Sequence, residues 1–164
     1  FKQKTAYEIM PSLVGSEMCI RDRITIIAVG KLSYIYRPLQ DDLLKRMKNV
    51  EVIEIKESNK IDETKTIIKK LKGKDYYVIL CDVSGKEMDS HEFSNFLRDV
   101  LPAKDVCFII GGPDGVEKEL IEDKIQLELS LSKMTFNHQL CRIVLLEQIY
   151  RAFMIWKKHP YALR

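Results

Sequence analysis

The sequence predicts an α/β domain, a mostly parallel sheet flanked by helices, and three observations lead there. From Ile24 onward, short apolar runs alternate with longer segments of 3.6-residue period, the pattern of successive βα units. Three of these runs, ITIIAV (24–29), YYVILCD (76–82) and VCFII (106–110), are almost wholly apolar, as strands are when helices cover both faces of a parallel sheet. The 164 residues are 46% hydrophobic and 31% charged, with 7 Gly and 5 Pro, a composition for one globular domain rather than several. A chain of this size builds a core without disulfide or metal staples.

The first strand is ITIIAV, and a helix is expected over about 35–47. VEVIEI (50–55) alternates Val or Ile with Glu, so one face of this second strand is wet and it belongs toward an edge of the sheet. A helix over about 61–72 leads to YYVILCD, and another over about 90–100 is opened by Asp89 or Ser90 as its cap. After VCFII come a short helix beyond Glu117 and a weaker fifth strand, IQLEL (125–129). The last helix runs from about His138 to Lys158, with apolar positions at Leu140, Ile143, Val144, Ile149, Tyr150, Phe153 and Met154. Asn137 is among the best N-cap residues and fixes its start.

Residues 1–23 do not fit this scheme. They have no initiating Met, no helical or alternating period, and no apolar core of signal-peptide length. The stretch is expected to be a non-native, disordered extension of the kind left by sequencing-adapter read-through, with residues 24–164 forming a single domain. The whole chain carries 27 basic and 24 acidic residues, net +3; without the four basic and three acidic groups of the extension the net is +2. That is no strong polyanion-binding footprint, although it permits RNA. No apolar run reaches the roughly 18–20 residues of a membrane span. The four cysteines, Cys19, Cys81, Cys107 and Cys141, are widely spaced, without a Cys-x-x-Cys pair or a neighbouring His at metal-ligand spacing. They read as free thiols in a reducing compartment, with no metal.

Open parallel sheets bind ligands beyond the carboxyl ends of their strands. Three loops qualify by position: DVSGKE after the third strand, GGPDGV after the fourth and SLSKMTFNH after the fifth. A phosphate-cradling P-loop is excluded, because Gly30-Lys31 and Gly85-Lys86 lack the upstream Gly and the following hydroxyl. The dinucleotide fingerprint is also missing after the first strand. Gly111-Gly112-Pro113-Asp114-Gly115 admits two readings: a tight βα turn serving only the backbone, or main-chain amides brought against a flat, uncharged group such as adenosine. Ser132 and Thr135 either satisfy loop backbone groups or face a ligand. His138 lies at the ligand-bearing edge in the first helical turn, and Cys141 is expected in the core.

Taken together, Ile27–Leu32 (IAVGKL), Phe108–Gly115 (FIIGGPDG), Leu129–Phe136 (LSLSKMTF), Leu145–Phe153 (LLEQIYRAF) and His159-Pro160-Tyr161 resemble the RlmH (YbeA-like) family of large-subunit ribosomal RNA pseudouridine N3 methyltransferases, in the SPOUT superfamily. The resemblance covers Ile24 to Tyr161 in order and spacing. It implies an α/β-knot fold whose C-terminal segment forms a trefoil knot, a cytoplasmic homodimer, S-adenosyl-L-methionine as methyl donor, and pseudouridine 1915 of 23S ribosomal RNA in the assembled 70S ribosome as substrate. Mapped residue by residue, the cofactor-binding positions implied are Cys81, Gly111, Gly112, Leu131, Ser132, Lys133, Met134, Thr135 and Phe136. This chain departs from the family pattern at Asn137, where Pro is usual, and at Ala162, where His is usual.

A sulfonium methyl is already a strong electrophile, so such an enzyme mainly positions the acceptor nitrogen in line with it. The imide N3 must also lose a proton. His138 is the candidate acceptor for that proton, and Arg142, one turn later, is a candidate to hold an RNA phosphate or the substrate. Arg142, Arg151, Lys157, Lys158, His159 and Arg164 concentrate basic groups near the C-terminal end, where dimerisation would double the field. Three other readings compete: a knotted tRNA methyltransferase, a non-catalytic ribosome-binding homologue, and a flavodoxin-like binder that would lack its phosphate loop.

Overall fold

A computed structural model describes residues 23–162. Five strands, β1 (Ile24–Val29), β2 (Val50–Ile55), β3 (Tyr76–Glu87), β4 (Asp105–Ile110) and β5 (Leu127–Ser130), form one sheet of order β2-β1-β4-β3-β5 in which every pairing is parallel. The helices are α1 (Arg37–Lys45), α2 (Lys60–Leu71), α3 (Ser90–Val100), α4 (Lys118–Ile121) and α5 (His138–Trp156). The α/β class, the parallel sheet and the edge position of β2 follow the sequence expectation. Arg23, assigned by sequence to the extension, bonds through its backbone to the start of β4: its N–H donates to Asp105 Oδ1 and its carbonyl accepts from Val106 N. The remainder of the expected extension, and Arg164, lie outside the described residues.

The side-chain alternation of each strand builds two apolar layers, one on each face of the sheet. On β4, Val106, Phe108 and Ile110 enter the layer shared with α3 and α5, while Cys107 and Ile109 enter the layer shared with α2 and α4. β1 divides the same way, with Ile24, Ile26 and Ala28 on one side and Ile27 and Val29 on the other. This is why β1 and β4 contain no polar side chain except Thr25 and the terminal Asp105. α3 carries a full capping box, Asp89 accepting from Glu92 N and Glu92 accepting from Asp89 N. It is held to α5 by Ser90 Oγ donating to Gln148 and Trp156 Nε1 donating to Ser94 O at 3.0 Å.

One element exceeds its sequence expectation. DVSGKE, read as a loop, continues β3 to Glu87 after an irregularity: Cys81 pairs with Leu129, and so does Lys86, with the residues between them bulged out. Gly85 permits this return, because a Cβ there would lie 2.6 Å from the backbone of Glu128. The bulge pushes Asp82 and Val83 outward at the carboxyl end of β3, beside the ends of β4 and β5.

Candidate active site

Three strand ends converge on one cleft of about 700 Å³. Its floor is Leu80 and Cys81 from β3, Ile110 from β4 and Leu129 from β5; the walls come from residues 111–116, from 131, 132 and 134–137 and from His138 and Cys141 at the start of α5. The volume suits a single drug-sized ligand.

The wall after β4 is a tight turn. Gly115 N donates to Gly112 O at 2.9 Å, Pro113 and Asp114 occupy the bend, and Gly115 has φ +76°. The turn folds so closely that a Cβ on Gly111 would stand 2.8 Å from the Gly115 carbonyl carbon. Any side chain at 111 would therefore push the turn out of place. The wall after β5 is held by its own hydroxyls: Ser130 Oγ donates to Ser132 O, and Ser132 Oγ accepts from Met134 N. Ser132 thus performs the backbone-satisfying role while also lining the cleft.

α5 starts where Asn137 predicts. Asn137 Oδ1 accepts from Leu140 N at 2.8 Å, so the helix begins at His138. The His138 side chain is only 16% exposed, and its Nε2 stands 3.7 Å from Glu57 Oε1. The neighbouring Gln139 accepts from Ser33 N at 2.7 Å, which ties the helix start to the connection after β1. Of the positions assigned to the cofactor by resemblance, Cys81, Gly111, Gly112, Leu131, Ser132, Met134, Thr135 and Phe136 line this cleft. Lys133 does not line it.

Arg142 is put to a different use from the one the sequence suggested. It is wholly buried, its Nη1 donates to Glu54 Oε2 at 2.6 Å and to Gln40, and its Nη2 donates to Gly30 O at 2.8 Å. The guanidinium is committed to joining α5 to the ends of β1 and β2, and it reaches no surface from which to touch a phosphate. It is a positioning group for the helix that carries His138. Cys141 packs against the core as expected, yet it is half-buried rather than enclosed: it also lines the cleft and forms a hydrogen-bonded pair with Cys81. That bond and burial push the Cys81 thiol well above the usual range, whereas receiving it lowers Cys141.

Sequence reasoning missed Asp82 and Lys118. Asp82 lines the cleft, and although burial alone would raise its pKa, hydrogen bonds from Lys118 and Ser84 outweigh this and keep the carboxyl below its ordinary value. Lys118 Nζ lies 2.8 Å from both Asp82 Oδ2 and Glu128 Oε1, and these bonds raise its own pKa. The lysine thereby pins the β3 bulge to β5. Two halves of this clamp, Asp82 and Glu128, are 46 residues apart, so nothing in local spacing marks them.

A five-stranded parallel sheet with a glycine-rich turn and a ligand-sized cleft at its carboxyl edge places the molecule among the open α/β proteins, whose ligands bind at that edge. The family model described as predicted SPOUT methyltransferase matches residues 23–162, and the chain belongs to that family. It is similar to the putative ribosomal RNA large subunit methyltransferase H of Methanococcus vannielii, 40% identical over 159 residues, covering 84% of this chain and 98% of that protein. It is 37% identical over 157 residues to the ribosomal RNA large subunit methyltransferase H 1 of Clostridium perfringens, with the same coverage. The ribosomal RNA large subunit methyltransferase H of Thermosipho melanesiensis is 35% identical over 152 residues, covering 85% of this chain and 98% of its own length.

Proposed function

We propose that this chain transfers a methyl group from S-adenosyl-L-methionine to N3 of a pseudouridine in large-subunit ribosomal RNA, position 1915 of 23S RNA, on the assembled ribosome in the cytoplasm. The observation that carries this reading is the cleft itself. It brings together eight of the nine positions that the resemblance assigns to a cofactor, in a chain that is similar over 84% of its length to proteins named for ribosomal RNA methylation.

The cleft's chemistry fits the donor. Leu80, Ile110, Leu129, Leu131 and Phe136 supply apolar contact for a flat base, and the Gly111–Gly115 turn presents main-chain groups without side-chain obstruction. Asp82 and Asp114 bring carboxylates to the same cleft, which suits a ligand bearing positive charge. When bound, S-adenosyl-L-methionine supplies an electrophilic methyl on a sulfonium. The chain's own contribution is placement and proton handling: Leu131–Phe136 and the turn hold the donor, and His138, on the cleft wall, takes the N3 proton. Glu57 faces the imidazole and Arg142 fixes the helix beneath it.

The same reading includes the trefoil knot and a homodimer. Tyr34, Ile35 and Leu39, exposed together on the connection after β1 and the first turns of α1, support the dimer. Sedimentation analysis tests it by giving a mass near 38 or near 19 kDa. The activity is tested by tritium transfer to 70S ribosomes from a strain lacking the modification, followed by mapping of the labelled nucleotide. Label on that pseudouridine is expected. Label on tRNA alone would favour the knotted tRNA enzyme, and cofactor binding without transfer to either would favour a non-catalytic homologue.

A further inference from the structure

The sequence placed the RNA-facing charge near the C-terminal end, and the structure removes much of it. Arg142 is buried against Glu54, and Arg151 is paired with Glu147 at 2.9 Å. A denser cluster of basic groups lies elsewhere. A second cleft, also of about 700 Å³, opens at the amino ends of β3, β4 and β5, and five lysines line it: Lys69, Lys72, Lys74, Lys104 and Lys124. Asp75 is the only carboxylate in its lining, and it pairs with Lys104 at 3.1 Å. Lys69, Lys72, Lys74 and Lys124 are exposed and have no ion-pair partner among the described residues.

The groove has the form of a backbone-reading surface. Its lysines come from three separate stretches, the end of α2 with the turn after it, the turn before β4 and the 3-10 turn before β5, so that charge surrounds a concavity. Ile68, Leu71 and the half-buried Tyr76 supply an apolar floor. Several flexible ammonium groups around a groove match a chain of phosphates, whereas a bilayer would require the charge on a convex or flat face. The groove is separated from the methyl-transfer cleft by the length of the central strands, about 20 Å for six residues.

We infer that this lysine groove binds the ribose-phosphate backbone of ribosomal RNA at a distance from the target nucleotide, an inference that rests on the proposed rRNA substrate. Charge concentrated here supplies the phosphate attraction that a net charge of +3 spread over the whole surface would not. The target base is then presented to the cleft at the other end of the sheet by a particle held at two places.

The test is binding of the full chain to purified 70S ribosomes, without cofactor, across a salt titration. The variant Lys69→Gln/Lys72→Gln/Lys74→Gln/Lys124→Gln is expected to bind at least about tenfold more weakly near physiological salt. Its log K against log[salt] slope should be shallower by roughly 3, at about 0.7–0.9 for each phosphate that is no longer neutralised. Its S-adenosylhomocysteine affinity should equal that of the parent, which also verifies folding. Lys72→Gln/Lys74→Gln should weaken binding more than Lys45→Gln/Lys48→Gln, which removes the same charge from another face. Parental affinity and slope in the quadruple variant would overturn the inference, as would no ribosome binding by the parent. Loss of binding to anionic vesicles or to an acidic ribosomal protein, with ribosome affinity unchanged, would overturn it too. Groove-dependent ribosome binding without methyl transfer by the parent would instead leave the groove standing and reject the proposed activity.

Discussion

The two ends of the sheet are built from the same strands and present opposite chemistry. At the carboxyl ends of β3, β4 and β5, glycines and apolar side chains shape a cleft whose carboxylates are Asp82 and Asp114, with the partly buried His138 on its wall. At the amino ends, the connections carry lysine after lysine and the groove between them is strongly positive. The carboxyl end is constrained by sterics, since Gly111 and Gly85 tolerate no Cβ. The amino end is constrained by charge. On the proposed reading, one strand bundle separates recognition of a small donor from attraction of a polyanion, and substitutions should divide accordingly.

The sharpest division should come from Arg142. Arg142→Ala leaves Glu54 and the Gly30 carbonyl without their partner and is expected to cost about 3–5 kcal/mol of unfolding free energy, read by urea denaturation. An ordinary surface arginine would cost under about 1 kcal/mol. His138→Ala should reduce single-turnover methyl transfer by about a hundredfold or more, while ribosome and S-adenosylhomocysteine affinities stay within twofold. A rate within twofold of the parent would remove His138 from the proton step. The lysine-groove variants come next, with about tenfold in ribosome affinity and nothing in donor binding.

The smallest effect concerns Lys118. Its side chain is 42% exposed, so Lys118→Met should cost no more than about 1 kcal/mol. The pH dependence is the better signature. Asp82 is lowered in the folded state, so its contribution is present above about pH 4 and fades as pH falls through the folded value. Lys118 is raised, so its contribution is present below about pH 10 and fades above it. The difference between parent and variant should therefore be widest from about pH 5 to 10 and narrow on both sides. A flat difference across that range and beyond would mean that the clamp contributes through packing alone.

What was legible in the sequence was what is local. The strands, the wet edge of β2, the Asn137 cap and the connections after β4 and β5 all follow from period, caps and turn residues within short windows. The continuation of β3 was hidden because Ser84-Gly85 is turn chemistry, and only pairing with β5, more than 40 residues on, makes it a strand. Arg142 was misjudged for the same reason: Glu54 and Gln40 are 88 and 102 residues away, so a buried ion pair looked like a free cation on a helix. The lysine groove combines positions 69–74, 104 and 124, and an even overall charge balance concealed it. Resemblance implied nine positions for the cofactor, and the cleft gathers all of them but Lys133.

Everything functional in this account depends on the carboxyl-end cleft holding the methyl donor against the Gly111 turn. Isothermal titration with S-adenosylhomocysteine, on the parent chain and on Gly111→Val, tests it directly. The account predicts one site per chain in the parent and at least a hundredfold weaker binding in Gly111→Val, whose side chain would collide with Gly115, while the quadruple lysine variant binds like the parent. Absence of binding in the parent, or equal binding in Gly111→Val, would contradict it.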